Sequence, residues 1–282
     1  MTQFAFIAPN KLIPDAAAQS GRHLLLAHLV DEDPEYVEAW NKITDGKYRI
    51  LDNSIFEKTM EGKPPFDSKQ LIEMAQRVNA DCIVLPDTPY GTLQENTEQA
   101  EPVMLEAQAA GFDTMFVPQS PQGDIETYVE AVEHGLTNCS LVGISILGAP
   151  VALGVDPKEK WKRYPSRAAI FHHLDAVGII DNTRGGCYGG SKFHCLGMTD
   201  GPREIEFLQQ YRDVIESWDS SAAVWAGCEK TQFDMTTMTG LRDGKLESHV
   251  DFKFKPNARH RQIAWQNMRT LNATLKECMG AT

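Results

Sequence analysis

No apolar run in this chain of 282 residues approaches the roughly 18 that a membrane-spanning helix needs. The opening residues, Met1-Thr2-Gln3-Phe4-Ala5-Phe6, lack the basic start and long apolar stretch of a secretory signal. A cytoplasmic setting without membrane association is therefore expected. Cysteine pairs are missing too. Cys82, Cys139, Cys187, Cys195, Cys228 and Cys278 are scattered with no CxxC spacing, which predicts free thiols and argues against a structural zinc site. Positive charge is scarce: 27 Lys and Arg against 39 Asp and Glu leave −12 at pH 7. Such a surface repels nucleic acid, so a role there needs a local basic patch. No internal repeat or low-complexity tract is visible. The glycine-rich run 181–190 has neither the spacing nor the following Lys-Ser/Thr of a phosphate loop, which excludes that motif. Its glycines make it a mobile-loop candidate instead.

What is present is an alternation. Short apolar runs rich in β-branched and aromatic residues cover 4–8, 23–30, 48–51, 82–85, 114–117, 140–147, 192–198 and 214–218. They read as buried parallel strands. Helical patterns fall between them at 34–43, 67–78, 94–110, 125–134, 167–177, 203–212 and 261–278. Asp33 is a candidate N-cap, and Gly111 and Gly135 are candidate C-terminal stops. Eight strands with helices between most of them predict an α/β fold, a (β/α)8 TIM barrel forming one domain. Residues 220–260 fit this pattern least well and are expected to form a small appendage.

Three of the apolar runs end in a carboxylate: Ile50-Leu51-Asp52, Val84-Leu85-Pro86-Asp87 and Ser217-Trp218-Asp219. The C-terminal rim of a parallel barrel is where its chemistry sits, so one carboxylate-lined pocket is expected. Asp219 fits a helix N-cap, or a nucleophile that attacks an anomeric carbon. Asp52 fits a turn with Asn53 and Ser54, or a general acid/base. Asp87 fits a turn at Thr88-Pro89, or an acceptor for the N–H edge of guanine. Gln119 could add an amide contact, and Gly143, Ile144 and Ser145 could offer backbone groups to a ligand. Phe56 and Leu196 fit core packing, or the walls of a slot for a flat heterocycle. His28, His172, His173 and His194 have no metal-ligand spacing. His194 reads as a hydrogen-bonding residue of the core or rim. Two basic clusters are candidates for phosphate contact: Lys158, Lys160, Lys162, Arg163 and Arg167, and Lys253, Lys255, Arg259 and Arg261. A solvated helix face or loop is the other reading of each.

In chain order, these segments together resemble the tRNA-guanine transglycosylase superfamily over roughly residues 48–225. Asp52-Asn53-Ser54-Ile55-Phe56 is similar to its Asp-Ser-Gly-Gly-Phe/Tyr segment, and Asp87-Thr88-Pro89-Tyr90 to its Asp-x-x-Thr-Pro-Tyr segment. Val117-Pro118-Gln119 stands where the family has Val-Gln-Gly-Gly. Leu141-Val142-Gly143-Ile144-Ser145, His194-Cys195-Leu196-Gly197 and Ile215-Glu216-Ser217-Trp218-Asp219 resemble its later motifs. The family's Cys-x-Cys-x-x-Cys…His zinc site has no counterpart here, Ser54-Ile55 replaces the Gly-Gly pair, and Ser221-Ala222-Ala223 replaces Pro-Thr-Arg. A compact zinc-less chain is most similar to the phage-encoded DNA-guanine transglycosylases.

That resemblance implies replacement of guanine in DNA by a 7-deazaguanine, in a host cytoplasm, as protection against restriction. It implies Asp219 as nucleophile, Asp52 for proton transfer, and Asp87, Gln119 and the Gly143 strand as holders of the base. Phe56 and Leu196 would stack on it, and no cofactor or metal is needed. The alternatives are tRNA as substrate, or a barrel enzyme or binder acting on a free small molecule or nucleobase. The chain leaves its oligomeric state open.

Overall fold

The computed structural model describes residues 2–181, 186–187, 190–198, 203–234 and 251–280. Most of the glycine-rich run 181–190 and much of the expected appendage therefore lie outside the described residues. Eight barrel strands follow the eight apolar runs. They are β1 (Gln3–Phe6), β2 (His23–Leu26), β3 (Arg49–Asp52), β4 (Cys82–Val84), β5 (Asp113–Phe116), β6 (Leu141–Ser145), β7 (Lys192–Leu196) and β8 (Ile215–Ser220). All ladders between them are parallel, in the order β1-β8-β7-β6-β5-β4-β3-β2. A Gly21 N–H bond to the Phe4 carbonyl, 2.9 Å, draws β2 to β1, so the sheet is a nearly closed (β/α)8 barrel. Residues 180–181 and 186–187 make a separate two-stranded antiparallel ribbon.

The helices are α1 (Ile13–Gln19), α2 (Ala27–Glu32), α3 (Pro34–Asn41), α4 (Ile55–Met60), α5 (Ser68–Arg77) and α6 (Leu93–Ala109). They continue with α7 (Ile125–Asn138), α8 (Gly148–Ala152), α9 (Lys160–Ala176), α10 (Arg203–Leu208), α11 (Ala222–Cys228) and α12 (Ala258–Met279). Asp33 caps α3 through the Glu35 and Tyr36 N–H groups, as its position before Pro34 predicts. Asp67, Thr92 and Asn257 each close a reciprocal capping box.

Two helices depart from expectation. α7 continues past Gly135 to Asn138. A side chain there would lie 3.0 Å from both Phe116 and Val142, so Gly135 serves close packing of helix on sheet rather than termination. α9 starts at Lys160, ahead of the expected Arg167, and runs through Pro165. The proline removes one ladder bond, and packing against α8 and α10 carries the helix through it.

Side chains alternate between the barrel interior and the helix layer. Phe4, Phe6, Val142, Ile144, Phe193, Cys195, Ile215 and Trp218 belong to one buried apolar cluster with the outer helices. Gly143, His194 and Ser217 stand at paired positions on the other face. β8 contains a register shift between Ile215 and Ser217. The extra residue moves the alternation by one, so Ser217 and Asp219 turn inward although Ile215 turns outward. At the N-terminal end of the barrel, Arg22 bonds Glu216 (2.8 Å) and Gln3 (3.1 Å) and lies over the Tyr48 ring. Tyr48 donates to Asp113 at 2.6 Å. This polar layer plugs the end of the barrel where residues serve stability.

Candidate active site

The C-terminal rim receives a carboxylate from three strands: Asp52 at the end of β3, Asp87 just beyond β4, and Asp219 within β8. Each is held differently. Asp219, 5% exposed, accepts from the Gly197 N–H at 2.9 Å and pairs with His194 Nε2 at 3.0 Å. Both contacts fall on Oδ1. Behind it, His194 Nδ1 lies 2.7 Å from Ser217 Oγ. Burial holds the His194 imidazole below its ordinary range, against the raising influence of Asp219, so the ring is neutral.

A serine, a histidine and an aspartate in a chain suggest a serine hydrolase, but the burial is inverted. Ser217 is wholly enclosed, and the carboxylate stands nearer the mouth. A nucleophilic serine must reach its substrate, so this chain of contacts supports Asp219 rather than Ser217.

Asp87 is also buried, and each of its oxygens accepts an amide N–H. Gln119 Nε2 donates to Oδ2 at 2.7 Å, and Asn53 Nδ2 donates to Oδ1 at 3.2 Å and to the Leu85 carbonyl at 2.6 Å. Burial pushes Asp87 up to about 6, with both amide bonds pulling against it. Asp52 keeps some exposure to the mouth, yet burial holds its carboxyl well above the usual range. Glu57, Asp219 and Asp87 push in the same direction, and the Ser54 N–H, 2.7 Å from Oδ1, opposes them. That Asp219 and Asp87 both act on Asp52 places the three carboxyls near one another at the rim.

The turn after Asp52 is set by short side-chain bonds. The Ser54 N–H donates to Asp52, and the Ile55 N–H to Asn53 at 2.8 Å. Ser54 adopts φ 55°, a left-handed conformation that favours glycine. Its hydroxyl bonds the His28 N–H (3.2 Å) and lies 2.9 Å from His28 Nδ1, tying the end of β2 to this turn. Asn53 and His28 are thus rim residues that turn chemistry alone did not single out.

Of the expected base-holding groups, Gly143 and Leu196 come together: a side chain at Gly143 would lie 2.6 Å from Leu196 Cδ1 and 3.0 Å from Met115 Sδ. Leu196 is partly buried against the core, whereas Phe56 on α4 is 55% exposed. Ser145 closes its own turn, its hydroxyl accepting from the Leu147 and Gly148 N–H groups. Ile144 turns away. Its side chain packs in the helix layer and its main chain pairs with Cys195 in β7, so it does not face the pocket.

The first basic cluster is smaller than the sequence suggests. Arg167 is wholly buried, paired with Glu204 at 2.7 Å and bonded to the Leu196 (2.5 Å) and Gly197 (2.6 Å) carbonyls. It anchors the end of β7 and is unavailable to phosphate, which corrects the surface role expected for it. Its place on the inner face of α9 was hidden by the later expected start of that helix. Lys158 is exposed, Lys162 pairs with Glu159 at 2.8 Å, and Arg163 bonds the Pro157 carbonyl at 2.6 Å. The side chain of Lys160 lies outside the described residues. In the second cluster Lys253, Lys255 and Arg259 are exposed, and Arg261 is bonded to Asp15.

Among the described residues, no group of three or more His, Cys, Asp or Glu side chains is placed to hold a metal ion, and no helix is long and apolar enough to cross a membrane. All six cysteines are free thiols. Two cavities of about 340 Å3 open elsewhere, beside Arg49 and Asp81 and beside Phe233 and Asn267, and neither is lined by the rim carboxylates. Fold and site define a (β/α)8 barrel with a carboxylate-lined C-terminal mouth. No protein-family model matches the chain, and no curated protein matches it.

Proposed function

We propose that the chain is a base-exchange transglycosylase that replaces guanine in DNA with a 7-deazaguanine through a covalent glycosyl-aspartate. The observation that carries this reading is the division of labour among three rim carboxyls. Asp219 is oriented by two contacts on one oxygen, Asp87 is presented by two amides, and burial holds the Asp52 carboxyl well above its usual range.

In this mechanism Asp87 accepts from the N1–H and exocyclic amine of guanine through the lone pairs left by Asn53 and Gln119. Leu196 and Phe56 border the plane of the base. Asp219 attacks C1′, the C1′–N9 bond breaks, and Asp52 gives its proton to the departing base. The incoming 7-deazaguanine then loses its N9 proton to Asp52 and displaces Asp219, so atoms and charge balance over the cycle. The target nucleotide must leave the duplex, or be single-stranded, to enter such a pocket.

The test is incubation with guanine-labelled DNA and, separately, labelled tRNA, each with a 7-deazaguanine present. The expected outcome is release of label from DNA. Release from tRNA alone would assign the substrate to tRNA. Release from neither, with several deazaguanines, would move the reading to a barrel acting on a free small molecule.

A further inference from the structure

We propose that Ser217 and His194 are positioning residues that choose which oxygen of Asp219 reacts: His194 Nε2–H and Gly197 N–H hold Oδ1, leaving Oδ2 to attack. The inference rests on the reading of Asp219 as the nucleophile. It goes further by assigning a role to two buried residues that the exchange reaction does not otherwise use.

The geometry has three parts. The two contacts on Asp219 converge on Oδ1, at 3.0 Å from His194 and 2.9 Å from Gly197. The histidine is itself fixed from below, with Nδ1 2.7 Å from Ser217 Oγ. Neither side chain is exposed, and Arg167 secures the carbonyls of Leu196 and Gly197, so the donors approach from a rigid frame.

The tautomer follows from the acceptor. A carboxylate oxygen only accepts, so the proton of a neutral ring must sit on Nε2. Nδ1 is then an acceptor, which makes the Ser217 hydroxyl the donor. The register shift in β8 is what brings Ser217 beneath the same ring that meets Asp219.

The chemical consequence is an asymmetry between the two half-reactions. When Oδ2 bonds C1′, Oδ1 becomes an ester carbonyl oxygen and still accepts both hydrogen bonds. When the second base displaces the sugar, the electron pair of the C1′–Oδ2 bond returns to the carboxylate. The two donors on Oδ1 stabilise that charge as it develops. His194 gains and loses no proton in either step.

Two measurements test this on the full chain. Long-range nitrogen–proton NMR should find the His194 proton on Nε2, with Nδ1 bare. A proton on Nδ1 would overturn the proposal whatever the protein catalyses. In quenched reactions with guanine-containing DNA, His194→Leu should slow turnover at least tenfold while the covalent adduct accumulates. His194→Gln, whose amide nitrogen can stand near Nε2, should restore turnover.

Adduct and turnover falling together in a folded His194→Leu, with no rescue by glutamine, would also overturn the proposal. If His194→Leu does not fold, Ser217→Ala with the same NMR readout replaces it. That variant should keep the proton on Nε2 but shift the Nδ1 resonance, because Nδ1 loses its hydrogen bond, and an unchanged Nδ1 resonance would contradict the proposed Ser217 bond. Absence of any adduct in the wild-type protein would instead count against the transglycosylase reading and leave the tautomer result standing.

Discussion

Burial pushes Asp52 and Asp87 the same way, but their neighbours separate them. Asp87 receives an N–H on each oxygen and settles at about 6. Asp52 receives one backbone N–H and faces Glu57, and burial with that neighbour holds its carboxyl well above the usual range. Unequal partners of this kind suit one carboxyl to accept hydrogen bonds and the other to carry a proton. Affinity for a guanine-type base should rise as the pH passes through about 6, as Asp87 ionises, and level off above it. Asp87→Asn should weaken binding at neutral pH and remove the rise, read by calorimetric titration with free base. The same shift bears on stability. Folding raises Asp87 from 3.8 to about 6, so its proton stabilises the fold. That contribution is complete below the lower value and lost as the pH rises through the upper one, at most about 3 kcal/mol. Urea denaturation from about pH 4 to pH 7 should show Asp87→Asn gaining stability relative to wild type. A difference that does not change with pH would contradict the assignment.

Among the described elements, α11 and α12 pack closely, and Gly227 permits the approach. A side chain there would lie 2.3 Å from the Ala264 nitrogen and 2.4 Å from its Cα, both backbone atoms that cannot swing aside. Gly227→Ala should cost about 2–3 kcal/mol in chemical denaturation by forcing the helices apart. An unchanged midpoint would show that the pair tolerates displacement. The strands themselves were legible in the sequence, because short β-branched runs ending in Asp, Gly or Pro have few other uses in an alternating chain. The three rim carboxylates were legible for the same reason. The register shift at Glu216 was not, since an extra residue in a strand leaves no mark in composition. With it went the contact of Ser217 with His194. Gly135 misled for a related reason: local propensity says helix end, and packing of helix on sheet decides otherwise. Arg167 was grouped with its charged neighbours because sequence distance, not burial, was visible.

Across the whole molecule, a net charge of −12 at pH 7 stands against a polyanionic substrate. The arrangement of the cations answers part of this. In a (β/α)8 barrel the helix N-termini lie on the same face as the C-terminal strand ends. Lys158 and its neighbours precede or open α9, and Lys253, Lys255 and Arg259 flank the start of α12. Both clusters therefore stand on the face that carries Asp52, Asp87 and Asp219. Phe252, directly before Lys253, accepts the Asn10 N–H at 3.0 Å through its carbonyl and meets the His28 ring edge-on, which fixes that segment beside the mouth. Charge reversal of Lys158, Lys253 and Lys255 together should weaken DNA binding and reduce its dependence on salt, each lost phosphate contact lowering the slope by about one. Equal affinity and slope would place the DNA elsewhere.

The most direct test of the account is the intact mass of the protein after rapid quenching with guanine-containing single-stranded DNA. The account predicts an added mass equal to the DNA less one guanine, located at Asp219 and absent in Asp219→Ala, with free-base binding by that variant nearly intact. An adduct on another residue, or none under conditions where guanine is released, would contradict it.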